Sequence, residues 1–259
     1  MRKINGTIST KKDEPKIKIL IGTITYDSDW YCLKQFADSV DKLDKSNFSC
    51  DMLILDNSDT ENYMKQLDKF FPKIKTIYYK PPPELKGFSR FRHCEIHCRQ
   101  LIVNYCIQKH FDYLFFLDSD VICNPDVVQK LLSHKKDIVC GLFRYRNPPE
   151  GRPLWFRYKT PPEISPKTDV PLMDFIPNHQ LFNSLMEIDA CGFGAILIKT
   201  EVLKRIPLRK SENDHYGADI NFCADAKKRG YQIFGDPLAN CNHLYKQCAR
   251  RREDNANAF

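Results

Sequence analysis

The residues with the plainest chemical potential are two carboxylates, Asp118 and Asp120, at the end of an apolar run, Phe111-Asp112-Tyr113-Leu114-Phe115-Phe116-Leu117. A run of this kind reads as a buried strand, and side chains at i and i+2 leave a strand on the same face. Two like charges so placed raise each other's proton affinity. A hard divalent cation removes that conflict, and oxygen ligands suit Mg²⁺ or Mn²⁺. An isolated Asp-x-Asp is more often a polar turn, and Asn124-Pro125 follows soon after. Here the strand before the pair and the helix after it favour a metal site. A second cluster, Asp56-Asn57-Ser58-Asp59, closes another apolar run, although Asp59 or Thr60 could equally cap the next helix. Arg90, Arg92 and Arg99 follow on one helical segment. A diphosphate beside a cation needs such a group, and Arg99 is the first choice. Further on, Asp189 precedes Gly192-Phe193-Gly194, whose glycines allow close backbone approach. It is not a dinucleotide fingerprint, because the third Gly and the helix are missing. Asp219 opens a helix, where the dipole alone also favours an acid.

These residues need elements to position them. Residues 16–22 predict a first strand ending in the polar tip Thr23-Ile24-Thr25-Tyr26. Leu33, Phe36, Val40 and Leu43 predict a helix by their spacing. Residues 52–55 form a second strand, and a helix carrying Tyr63, Leu67, Phe70 and Phe71 follows. A short strand over 74–79 stops at Pro81-Pro82-Pro83. A helix over 88–110, with Phe91, Cys94, Cys98, Leu101, Ile102 and Tyr105 inward, leads into the Asp-x-Asp strand. Asn124-Pro125-Asp126 starts a helix through Leu132, and 137–141 is a further strand. Residues 187–198 give a glycine-containing strand, 218–229 a helix ended by Gly230, and 231–234 a last strand. Such alternation predicts an α/β fold with a doubly wound, mainly parallel central sheet and flanking helices. Asp56 and the Asp118/Asp120 pair then face one crevice at the carboxyl edge.

Between Pro148 and Pro177 lie eight of the 16 prolines, with Trp155, Phe156 and Tyr158 among them. A long aperiodic segment of this kind is usually functional or disordered. Its aromatics suit stacking on a sugar ring, or a lid. The chain thus divides into a tail over 1–15, one domain over 16–245 and a basic tail over 246–259. Within the domain, 16–141 is the ligand-binding half and 142–245 the second half, with the proline-rich loop at 147–180.

The 259 residues carry 40 Lys+Arg against 33 Asp+Glu, a net charge of +7. That is too mild to choose between nucleic acid, a membrane surface and a phosphorylated ligand. The 11 cysteines have no CxxC spacing, and several sit in apolar patterns, so buried thiols are expected. His93, Cys94, His97 and Cys98 have helical spacing, but no second ligand pair has zinc-site spacing. Residues 1–15 lack the apolar core of a signal peptide, and no apolar run spans a bilayer. The expectation is a cytoplasmic protein, with the basic tail solvated or weakly attracted to anionic surfaces.

The ordered set resembles a GT-A glycosyltransferase of the family-two type. The resemblance rests on Thr23 to Tyr26, Leu55-Asp56-Asn57-Ser58, Arg99, Phe115 to Asp120, Gly141 to Arg146, Asp189 to Gly194, Ala218-Asp219 with Arg229-Gly230-Tyr231, and His243. It covers roughly residues 16 to 245 and implies a Rossmann-like GT-A fold. It also implies transfer of a hexosyl or deoxyhexosyl group from a nucleotide-diphosphate sugar to a hydroxyl of a glycan, glycoprotein or other acceptor. Thr23, Tyr26 and Asp56 would contact the base and ribose, with Ser119 and Asp189 also on the donor side. Arg99 would hold the diphosphate. Asp118, Asp120 and His243 would hold Mn²⁺ or Mg²⁺, with Asp120 in direct contact. Asp219 would be the general base of an inverting displacement. Trp155, Tyr158 and Gly192 would face the acceptor. One departure is that Ala218-Asp219 stands where the family often has Glu-Asp, so Glu212 or His215 would have to supply the missing acceptor contact.

Three other readings compete. A haloacid-dehalogenase-like Mg²⁺ phosphatase also uses an apolar strand ending in Asp-x-Asp. There the pair lies near the start of the domain with Thr or Val two residues on, and here Ile122 holds that place. A basic nucleic-acid-binding module fits the net charge but lacks any zinc-finger or RNA-recognition signature. An inactive glycosyltransferase-like fold is opposed by the presence of Asp118, Asp120, Asp219 and His243.

Overall fold

Burial alternates along the central strands and so splits the core into two layers. In a computed structural model that describes residues 16–145, 151–159, 170–210 and 216–244, Ile19 and Ile21 face one side of the sheet and Leu20 the other. In the same way Phe115 and Leu117 oppose Leu114 and Phe116. A strand buried on both faces is a property of sheets covered by helices on each side.

The first half follows the expected order apart from one unpredicted short strand, β5: β1 (Ile17–Thr25), α1 (Leu33–Asp41), β2 (Phe48–Asp56), α2 (Asn62–Phe70), β3 (Lys75–Tyr78), α3 (Gly87–Gln108), β4 (Tyr113–Leu117), β5 (Val121–Cys123), α4 (Val127–Ser133) and β6 (Ile138–Leu142). The second half adds β7 (Trp155–Tyr158), β8 (Met173–Phe175), β9 (Met186–Ile188), β10 (Ala190–Cys191), β11 (Ala195–Lys199), α5 (Thr200–Leu203), α6 (Ala218–Lys228) and β12 (Ile233–His243). The large sheet has the order β3-β2-β1-β4-β11-β6-β12-β5, with β9 also on β12, and β10-β7-β8 form a small second sheet. Strands β1 to β4 are mutually parallel. β11 runs against both β4 and β6, so β6 returns to the sense of β4, and β12 is parallel to β6. The sheet is therefore mostly parallel, with the carboxyl ends of β1, β2, β4, β6 and β12 on one edge.

Helices α1 and α4 cover one face through Leu33, Phe36, Val40, Val127 and Leu131, and α3 covers the other through Cys94, Cys98, Ile102 and Val103. Each fully buried side chain of this size contributes about 1.5–3 kcal/mol. Helix α3 differs from its periodic prediction. Phe91 and Leu101 are exposed, while Arg99 is buried on the sheet side. The expected caps Asp59 and Thr60 are also absent: Glu61 precedes α2 and makes no side-chain capping bond. The predicted strand over 187–198 is broken at its glycines into β10 and β11, which belong to different sheets. The last strand reaches His243 rather than residue 234, and Gly230 ends α6 at φ +83° as expected.

All ten cysteines within the described residues are free, and nine are buried. Among the described residues no helix is long and apolar enough to cross a membrane. The two tails, Glu212, His215 and much of the proline-rich loop lie outside the described residues.

Candidate active site

The carboxyl edge opens into a cavity of about 1380 Å³ whose wall includes Thr25, Tyr26, Asn57, Asp59, Arg99, Asp118, Asp120, Asp219 and His243. Asp118 follows the last residue of β4, and its N–H donates to Gly194 O (3.1 Å). The buried Arg99 Nη2 donates to Asp118 Oδ1 at 2.9 Å. The guanidinium lies 5.3 Å from the Phe116 ring centre and 5.2 Å from that of Phe193. Two rings and one carboxylate thus fix a cation at the cavity wall.

Asp120 and His243 meet because β5 pairs antiparallel with the end of β12, with His243 opposite Val121. His243 Nε2 lies 3.4 Å from Asp120 Oδ1, and Nδ1 lies 2.8 Å from the backbone carbonyl of Arg144. A carbonyl only accepts, so Nδ1 carries the proton, and Nε2 is turned to the carboxylate. Imidazole and carboxylate together suit Mn²⁺. Among the described residues no three His, Cys, Asp or Glu side chains gather into a metal-holding group, and Asp118 is engaged by Arg99. A cation held by one or two carboxylates that completes its shell with substrate phosphates needs no larger cage. The donor set fits such a cation through Asp120 and His243.

Asp219 stands in the first turn of α6, and its Oδ1 accepts the Ile220 N–H at 2.8 Å. Burial and then the nearby Glu95 raise its pKa to about 7, with Arg99 and Arg92 opposing the rise. Gly217 lets three polar side chains converge here. A Cβ at Gly217 would lie 2.5 Å from Asp219 Oδ1, 2.7 Å from Arg92 Nη1 and 3.0 Å from Glu95 Oε1. Gly192 is constrained similarly, its Cβ position being 3.0 Å from Phe143 Cζ and 3.6 Å from Asp219 Oδ2.

The remaining sequence-selected residues divide. Tyr26 is on the wall, with Oη donating to Asp59 Oδ2 (3.0 Å) and Arg90 over its ring at 5.0 Å. Ser119 lines the cavity and donates to Asp29 Oδ2 (2.8 Å). Thr23 is one strand period inside the sheet, because β1 continues to Thr25, and Thr25 takes the wall position. Asp56 ends β2 as expected but is fully buried. Its Oδ1 accepts both the N–H and the hydroxyl of Ser58, burial raises its pKa against those bonds, and Asn57 and Asp59 form the wall instead.

On the other side Asp189 is also off the wall, paired to Lys227 at 2.7 Å and accepting the Tyr158 N–H at 2.9 Å. It ties the small sheet to α6, and Tyr158 goes with it. Trp155 is fully buried, and its ring fills the space over Gly235. Side chains alternate along a strand, so its neighbours Leu154 and Phe156 reach the cavity in its place. Gly192 is on the wall.

No family model matches the chain, and no curated protein matches it by sequence. Solved structures do match. The crystal structure of A197 from STIV has a TM-score of 0.50 at 16% identity, over 89% of this chain and 87% of that one. The crystal structure of S. aureus TarS has a TM-score of 0.55 at 14% identity, over 88% of this chain and 37% of that one. The fold is GT-A-like. At this identity the likeness carries the fold alone, and this chain spans only the stated 37% of TarS.

Within that GT-A-like frame, sequence reading missed Glu95 and passed over Arg92 as a solvated basic residue. Both line the cavity, joined at 2.8 Å from Arg92 Nη1 to Glu95 Oε2. A signal was present: Arg92, Glu95 and Arg99 are spaced three and four apart on α3, one stripe beside its buried face. It also missed Phe193, a ring beside Arg99, and gave the role of the Asp56–Asp59 cluster to Asp56, whereas Asp59 lines the cavity and pairs with Arg90 at 3.0 Å.

Proposed function

We propose that this chain is a metal-dependent glycosyltransferase that moves a sugar from a nucleoside-diphosphate sugar to an acceptor hydroxyl. One observation carries the reading. A single cavity holds a fixed cation, Arg99, paired with Asp118, together with Asp120, and also a separate half-buried carboxylate, Asp219, of raised proton affinity. The first group suits a diphosphate leaving group and the second suits a base.

Tyr26, Asn57 and Asp59 form the part of the wall suited to base and ribose. Lys80, Lys86, Arg90 and Arg92 add positive charge to the same cavity as Arg99. Asp120 and His243 would hold Mn²⁺ or Mg²⁺, which would supply charge neutralisation for the departing phosphates. Arg99 does the same from its place beside Phe116 and Phe193, and it needs no reorganisation to do so. Asp219 takes the proton of the acceptor hydroxyl as that oxygen bonds to the anomeric carbon. The bond from that carbon to the phosphate oxygen breaks, and its electron pair leaves with the nucleoside diphosphate. A base on the face opposite the leaving group gives inversion.

The test is calorimetric titration of a nucleoside-diphosphate panel, with and without Mn²⁺, on the wild type and Asp120→Ala. The expected result is Mn²⁺-dependent binding of one nucleotide, weakened at least tenfold in Asp120→Ala. Absence of binding by every nucleotide with Mn²⁺ present would remove the donor-site assignment.

A further inference from the structure

Glu95 is a carboxylate of the cavity with no part in the mechanism above. It projects from the middle of α3, far in sequence from Asp219, yet the two carboxylates converge. Asp219 Oδ1, Glu95 Oε1 and Arg92 Nη1 all lie within 3.0 Å of the point where a Gly217 Cβ would stand. Arg92 engages Glu95 through Oε2, which leaves Oε1 turned toward Gly217 and Asp219. If Glu95 served only to neutralise Arg92, this second oxygen would have no need to face a second acid. Its presence has a cost, since it helps hold Asp219 above the usual carboxylate range.

The surroundings define what two adjacent acceptors could bind. Both carboxylates, Tyr216, Phe91, Phe143 and Phe193 line the same cavity. Paired carboxylates accept hydrogen bonds from neighbouring hydroxyls, and aromatic faces cover the C–H faces of a ring. A long-chain alcohol or an isolated serine would satisfy one carboxylate and leave the other facing it across a desolvated gap, which is unfavourable. We propose that Glu95, held by Arg92, is a second acceptor-binding carboxylate, and that the acceptor is a sugar or other vicinal diol bound with the attacking hydroxyl on Asp219 and its neighbour on Glu95.

The inference rests on the glycosyltransferase reading and deepens it. Its test uses the donor whose nucleotide binds in the calorimetric titration. Nucleoside-diphosphate release is followed with a panel of methyl glycosides, their monodeoxy analogues, a serine peptide and octanol as acceptors. The expected result is that at least one methyl glycoside stimulates release. Its analogue lacking the hydroxyl next to the linkage position loses about tenfold or more in kcat/KM, the scale of one hydrogen bond to a charged group. In Glu95→Gln, checked for an unchanged melting temperature, acceptor KM rises more than kcat falls, and the gap between parent and deoxy acceptor closes to about twofold. Glu95→Asp keeps part of the discrimination. The inference is overturned if no methyl glycoside stimulates release, or if Glu95→Gln preserves the full parent-to-deoxy gap. Failure of the underlying reading is separate and earlier: no nucleotide binds the wild type with Mn²⁺.

Discussion

The two walls of the cavity treat their carboxylates differently. On the wall built by β1, β2, β4 and β12, the carboxylates of Asp118 and Asp59 have cationic partners. Asp118 has Arg99, and Asp59 has Arg90 and the Tyr26 hydroxyl. On the wall built by α6 and the middle of α3, Asp219 faces Glu95 instead, and its pKa rises to about 7. The contrast separates two kinds of work. A wall of matched charges holds a polyanion without moving protons. A buried carboxylate beside another carboxylate is poised to exchange a proton near neutral pH.

The largest expected effect comes from removing the poised group. Asp219→Asn should lower the transfer rate by about 10²–10⁴-fold while nucleotide binding with Mn²⁺ is retained, as read by product formation and calorimetry. The same variant tests the energetic side. Folding raises the Asp219 pKa, so the stability it contributes is complete below the unfolded value near 4 and is lost as pH rises through about 7. The melting temperature of Asp219→Asn should therefore exceed that of the wild type above pH 7, and the difference should shrink at pH 4. If Asn is the less stable at every pH, the two walls do not differ in the way described.

A smaller effect is expected on the matched wall. Arg99→Ala removes a cation packed beside Phe116 and Phe193 and leaves Asp118 without its partner. Breaking a pair that contains a buried arginine costs about 2–4 kcal/mol. The melting temperature should fall by several degrees, with Arg99→Lys recovering only part, because an ammonium cannot reproduce the contacts of the planar guanidinium. A loss below about 0.5 kcal/mol would mean that the pair and its ring contacts contribute little.

The same contrast explains what could be read from the sequence. The matched wall lies mostly on local, strongly periodic elements. Asp118 and Asp120 follow an apolar run, Arg99 sits on a long helix, and the βα alternation from residue 16 to 142 appears in order. The other half depends on pairings between distant segments. Strands β5, β7, β8 and β9 have three or four residues each, too short to show a period, and each is stabilised by a distant partner. Trp155 looked like an acceptor-stacking aromatic because it sits in a long aperiodic segment rich in proline, but β7 packs against β10 and turns it into the core. Asp189 looked like a site carboxylate because glycines follow it, but Lys227, reached only through the turn of α6, claims it. Glu95 escaped notice because its significance comes from Asp219, more than a hundred residues later.

The most direct test of the poised carboxylate is the pH dependence of kcat/KM for transfer by the wild type, measured at saturating Mn²⁺. Asp219 is flanked by Glu95, Arg92 and Arg99 from α3 and by the buried thiols of Cys191 and Cys223. Its ionised form is the base, so the rate should fall on the acid side with a midpoint near pH 7. A rate that stays level down to pH 5 would contradict the assignment of Asp219 as a base of raised proton affinity.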